Sequence, residues 1–175
     1  AVLSGAARIT EFDIEQYRAS LESKQTKVRQ FISGIINGLQ KSRNKKRILF
    51  TEGDELKVLR AADIIVQNGI AIPVLLGEEY KIHELAAQHE ISLDGMEIVN
   101  VLNLEHLEEY ATLLTHNRQR KGMTMAQARR IVRRRIEYGA MMLESGKVDG
   151  LISGVNLRYD ETIRPVLEII GTDSR

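Results

Sequence analysis

Cysteine is absent from the sequence, which excludes disulfide staples, thiolate metal sites and thiol nucleophiles within this chain. Proline occurs twice and tryptophan not at all, while hydrophobic residues fill 43% of the 175 positions; such a balance describes a chain with a core rather than a disordered one. Neither sign of charge dominates, with 25 Lys and Arg against 24 Asp and Glu. No bulk field therefore draws nucleic acid or a membrane, and any anion site must be local. No apolar run approaches the roughly 20 residues that span a bilayer, and Ala1 to Ile9 lacks the apolar stretch of a secretion signal. A soluble protein of the reducing cytoplasm is expected. His83, His89, His106 and His116 lie on separate segments without ligand spacing, so no metal site is expected.

What is present is an alternation of two periodicities. Phe12 to Leu39 carries apolar residues at helical spacing and predicts a helical lead-in. Arg47 to Thr51 reads as a buried strand that stops in the turn Glu52-Gly53-Asp54. Leu56, Leu59, Ala62, Ile65 and Val66 then form one helical face up to Gly69, a position suited to a left-handed cap. Ile72 to Leu76 predicts the next strand, Tyr80 to His89 a helix, Glu97 to Val101 a strand and Leu104 to Arg120 a helix. Thr124 to Ser145 predicts one long helix, Leu151 to Ser153 a strand, and Asp160 to Ile170 a final helix. Strand and helix in alternation predict a three-layer αβα domain with a mostly parallel sheet. Ligands of such sheets lie beyond the carboxyl ends of the strands, which directs attention to the turns after Thr51 and Ser153. The last helix is followed by no further strand, so the domain is expected to be truncated before the rest of a second subdomain.

Two turns carry candidate chemistry. In Thr51-Glu52-Gly53, glycine permits close approach of a ligand and the amides of the following helix favour an anion. The plainer reading is a tight connection capped by Asp54 or Thr51. Ser153-Gly154, followed by Arg158, Thr162 and Arg164, offers a hydroxyl, free amides and a forked cation suited to phosphate. Here the plainer reading pairs Arg164 with Asp160 or Glu161 and leaves Gly154 to turn the chain. Arg129, Arg130, Arg133, Arg134 and Arg135 crowd one helix without aromatic interleaving, which reads as a solvated or subunit-contact face rather than a nucleic-acid surface. No nucleophile, base and orienting acid stand in recognisable spacing, so no catalytic residue is assigned.

Arg47 to Asp54 with Val58 to Ala62, Ile70 to Gly77, Arg118 to Thr124, Tyr138 to Met142 with Gly146 to Gly154, and Asp160 to Ile170 form five blocks in fixed order. Together they resemble the phosphate acetyl/butyryl transferase family, over Arg47 to Thr172. The resemblance implies a phosphotransacetylase / isocitrate dehydrogenase-like fold. It also implies that Arg118 and Arg164 contact coenzyme A or the phosphoryl substrate, with Ser153 and Gly154 at the mouth of the cleft. Where that family continues the loop with a His-Ser-Thr-like stretch, this chain has Leu157-Arg158-Tyr159; Arg158 retains the capacity to hold a phosphate.

Ser4 to Ile9, Asp13 and Tyr17-Arg18 are similar to the segment that closes the catalytic portion of bacterial NADP-dependent malic enzymes fused to such a domain. This second resemblance implies that residues 1–46 are a helical linker from a malic-enzyme catalytic portion and 47–175 the N-terminal part of a phosphotransacetylase-like domain. The expected function is then a regulatory and assembly module that binds acetyl-CoA or a related acyl-CoA. Its partners would be a malic-enzyme domain in the same chain, which uses NADP and divalent Mg or Mn, and further copies in a homo-oligomer; no nucleic acid or membrane is expected. The alternatives are a phosphate acetyltransferase that moves acetyl between coenzyme A and phosphate, and a purely structural oligomerisation module.

Overall fold

The computed structural model describes residues 14–171, with side chains from residue 27 onward. Residues Ser4 to Ile9 and Asp13 lie outside the described residues. The chain divides into two compact units, Ala1–Lys41 and Ser42–Arg175. The first contributes helix α1, Ile14–Lys41.

The second unit is an alternating α/β fold. Strands β1 (Arg47–Phe50), β2 (Ile72–Gly77), β3 (Glu97–Asn100) and β4 (Gly150–Ile152) form one sheet in the order β3-β2-β1-β4. All three pairings are parallel, with Leu49 opposite Val74 and Leu151. Helix α2 (Leu56–Gln67) connects β1 to β2 and α3 (Glu79–Gln88) connects β2 to β3. After β3 the chain runs through α4 (Leu107–Arg118), a short 3-10 turn, α5 (Met125–Val132) and α6 (Arg135–Glu144). It then crosses to the other side of β1 and enters β4, followed by α7 (Tyr159–Ile169).

Side-chain alternation along the strands separates two cores. Leu49, Val74 and Leu76 face one way and join Tyr110, Ala128, Val132, Tyr138 and Met141 from α4, α5 and α6. Phe50 and Leu75 face the other way and meet Val58, Leu59, Ala62, Ile82 and Ala86 from α2 and α3. Helices on both faces of a parallel sheet make the three-layer architecture expected from the alternation.

The predicted long helix over 124–145 is instead two helices. Thr124 caps α5 through its side chain on the Gln127 amide, and the break falls at Arg133 and Arg134, where Arg134 is extended (φ −81°, ψ 141°). The two segments have different surroundings. α5 buries only Ala128 and Val132, whereas α6 is buried continuously from Ile136 to Met142. The break reorients the chain so that α6 enters the interior on all sides and approaches the sheet closely at Gly139. A Cβ there would lie 2.8 Å from Leu49 Cδ2 and 3.0 Å from Leu151 Cδ1. No proline marks the break, so the arginines conceal it.

Candidate functional site

The strand order reverses between β1 and β4: from β1 the chain steps first toward β2 and β3, then returns to β4 on the opposite side. Such a reversal opens a crevice at the carboxyl ends of the two strands. Thr51 and Glu52 directly follow β1, and Ser153 and Gly154 directly follow β4, so the structure brings these four together. Thr51 Oγ1 donates to Ser153 Oγ at 2.6 Å. Glu52 is buried, and its carboxylate accepts the amides of Gly154 and Val155 on Oε2 and of Asn156 on Oε1, each at 2.9 Å. Gly154 has φ +103°, a conformation that favours glycine, and Thr162 of α7 lies beside it. Thr162 Oγ1 itself donates to the Arg158 carbonyl at 3.0 Å. The post-β4 amides expected to be free for a ligand anion thus already surround a carboxylate.

Gly53 serves close packing. A Cβ there would fall 2.8 Å from Leu75 Cβ and 2.9 Å from the Leu75 backbone carbons, and its amide donates to the Leu76 carbonyl at 3.0 Å. The next residue anchors the turn to α6. Arg135 donates both guanidinium arms to Asp54, at 2.5 and 2.8 Å, and lies 3.8 Å from Glu78. Burial pushes the Asp54 carboxyl up, but the Arg135 guanidinium and the neighbouring amides outweigh it and hold the carboxyl below its ordinary range. The same hydrogen bond to Asp54 raises Arg135 above the usual arginine value.

A second group of polar residues lines a cleft of about 700 Å³ between α7 and the α4, α5 and α6 helices. Arg118 from α4 and Arg164 from α7 meet there on one carboxylate, Glu168, at 3.4 and 3.0 Å. Two guanidinium groups share this one carboxylate, while the cleft lining as a whole holds four arginines and four carboxylates. Arg118 is mostly covered, at 18% side-chain exposure, while Arg164 is 81% exposed. Arg134 also lines the cleft and approaches the buried Glu137 at 3.3 Å. Arg158 does not line it; this side chain is exposed and pairs with Asp160 at 3.3 Å.

Of the residues singled out in the sequence, the fold brings Arg118 and Arg164 together on Glu168 and gathers Thr51, Glu52, Ser153, Gly154 and Thr162 beyond the strand ends. The sequence reading did not identify Glu168, Glu137 or the Asp54–Arg135 pair. Arg135 was concealed among five arginines read as a surface; Arg129 fits that reading in pairing with Glu108, and Arg130 and Arg133 are exposed. Among the described residues no group of three or more His, Cys, Asp or Glu is placed to hold a metal ion. No helix among them is long and apolar enough to cross a membrane.

Sheet order and helices on both faces define a doubly wound α/β protein with a crevice at its switch point. The chain belongs to the phosphate acetyl/butaryl transferase family, whose sequence profile matches residues 30–175. It is 40% identical over 127 residues to the phosphate acetyltransferase of Acetivibrio thermocellus, covering 73% of this chain and 38% of that protein. The Escherichia coli phosphate acetyltransferase is 41% identical over 128 residues, covering 73% and 18%. Among solved structures, the EutD phosphotransacetylase from Staphylococcus aureus superposes with a TM-score of 0.72 at 29% identity, covering 81% of this chain and 43% of that one. The chain thus spans less than half the length of these relatives.

These relatives overturn the expected regulatory module of an NADP-dependent malic enzyme. They are phosphate acetyltransferases, and nothing in them points to a malic-enzyme context. The malic-enzyme activity, its NADP and its Mg or Mn fall with that reading. Its basis was a short lead-in resemblance, carried by far fewer residues than the five ordered blocks.

Proposed function

We propose that the protein is a phosphate acetyltransferase, in which coenzyme A thiolate attacks the carbonyl of acetyl phosphate to give acetyl-CoA and inorganic phosphate, and the reverse. The observation that carries this reading is the convergence of Arg118 and Arg164 on Glu168 in the cleft beside the strand-end crevice. Both substrates present phosphate groups, and guanidinium groups bind these through paired N–H donors. The shared carboxylate holds the two forks in place before the ligand arrives, which lowers the entropy lost on binding. This chain supplies the anion-holding wall of the site, and no residue in it is assigned to bond making.

The test is formation of acetyl phosphate from acetyl-CoA and phosphate by the full-length protein, with Arg118→Ala and Arg164→Ala beside the parent. Turnover in the parent and a raised KM for coenzyme A in either variant are expected. Absence of turnover in the parent would reject the reading.

A further inference from the structure

Glu52 is one of three polar residues buried in the described chain, together with Thr51 and Glu137. A buried carboxylate requires compensation. Glu52 obtains its hydrogen bonds from backbone, with three consecutive amides, Gly154, Val155 and Asn156, converging on its two oxygens at 2.9 Å, and the Arg135 guanidinium adds an electrostatic attraction. Successive amides pointing at one centre make an anion nest. In this fold the nest follows β4 at the switch point, where a free ligand anion would otherwise sit. The neighbouring Thr51 is 1% exposed and reaches Ser153 at 2.6 Å, while Ser153 itself is only half-buried. The two adjacent residues following β1 thus grip the four residues following β4, one through a hydroxyl and one through a carboxylate.

We infer that Glu52 is a positioning residue: a built-in anion around which the Gly154–Asn156 loop closes, fixing the Ser153 hydroxyl at the mouth of the cleft. Its carboxylate is turned to these three amides, so its role is to hold the loop rather than to touch the transferred group. The geometry of the loop stands independently of any activity; only the effect on turnover rests on the transferase reading.

The test uses the full-length protein with Glu52→Gln and Glu52→Ala. Amide hydrogen exchange is followed by mass spectrometry in peptides covering residues 153–158 and, as controls, β1 and β2. In the parent the loop amides are expected to exchange slowly. Glu52→Gln keeps the side-chain shape but replaces one acceptor oxygen by a donor, and exchange in the loop peptide is expected to rise at least tenfold with the controls unchanged. In Glu52→Ala, formate at tens of millimolar refills the vacated nest and restores slow exchange; chloride at equal ionic strength does not. Acetyl transfer is expected to fall at least tenfold in kcat in both variants and to recover with formate in the alanine variant. Unchanged loop exchange in Glu52→Gln, or a uniform rise that includes the controls, overturns the assignment. Should the alanine variant fail to fold, the glutamine variant decides. A parent without transferase activity would reject the proposed function alone, since the exchange experiment still decides the role of Glu52.

Discussion

At the carboxyl end of β1, every buried ionic group has a full set of partners, whereas across the α7 cleft two arginines share a single carboxylate. Glu52 takes three amides, and Asp54 takes both arms of Arg135. Arg118 and Arg164 must divide Glu168 between them. The first region resembles a joint and the second a receptor. Electrostatic groups that are saturated and dry fix geometry, and those left with spare capacity beside water can recognise a ligand. Both lie within one switch-point neighbourhood, which explains why residue type alone did not separate them.

The comparison breaks most severely at Gly53. Gly53→Ala forces a methyl group against the backbone of Leu75. Overpacking against backbone that cannot yield is expected to cost about 3 kcal/mol, read as a lowered midpoint in urea unfolding.

Asp54→Asn comes next, with an expected loss of about 2 kcal/mol from a mostly covered ion pair. It also carries a pH signature. The folded-state pKa of Asp54 lies below its unfolded value, so the pair's stabilisation is complete above the unfolded value of about 3.9 and disappears as pH falls through the lower folded value. Stability measured between about pH 5 and pH 2 should therefore fall less steeply in Asp54→Asn than in the parent.

The cleft should respond in the opposite way. Arg164→Ala is expected to weaken coenzyme A binding by about 1.5 kcal/mol, roughly tenfold, while the unfolding midpoint stays in place. Calorimetric titration with coenzyme A beside a thermal melt measures both. A large stability loss with unchanged affinity would place Arg164 in the joint rather than the receptor. Arg130→Ala, an exposed residue of the same basic run that makes no ion pair with a described residue, should change stability by less than about 0.5 kcal/mol and leave ligand affinity unchanged.

How much of this was legible beforehand follows from the range of the forces involved. Element type is set by local periodicity, so β1, α2, β2 and α3 were readable within a residue or two, and alternation implied the parallel sheet. The break between α5 and α6 was not. Ile131, Val132 and Ile136 continue a helical spacing across Arg133 and Arg134, and the break is imposed by tertiary packing, where α6 is buried on all sides and Arg135 reaches Asp54. Arg164 is offered by its place after the Ser153-Gly154 turn, whereas Arg118 comes from family resemblance, because nothing local distinguishes it from Arg120. Glu168 was missed because its role arises only when α4 and α7 meet, 50 residues apart in sequence. Glu52 was noted as part of an anion turn, but the sequence could not show that it would itself be the anion.

That carboxylate has a consequence for how the protein would sense its surroundings. A tethered anion cannot be diluted, and its effective concentration at the nest is fixed by the chain rather than by the solution. The loop after β4 should therefore keep its shape in phosphate-poor and phosphate-rich conditions alike, leaving the arginine cleft as the part whose occupancy follows supply.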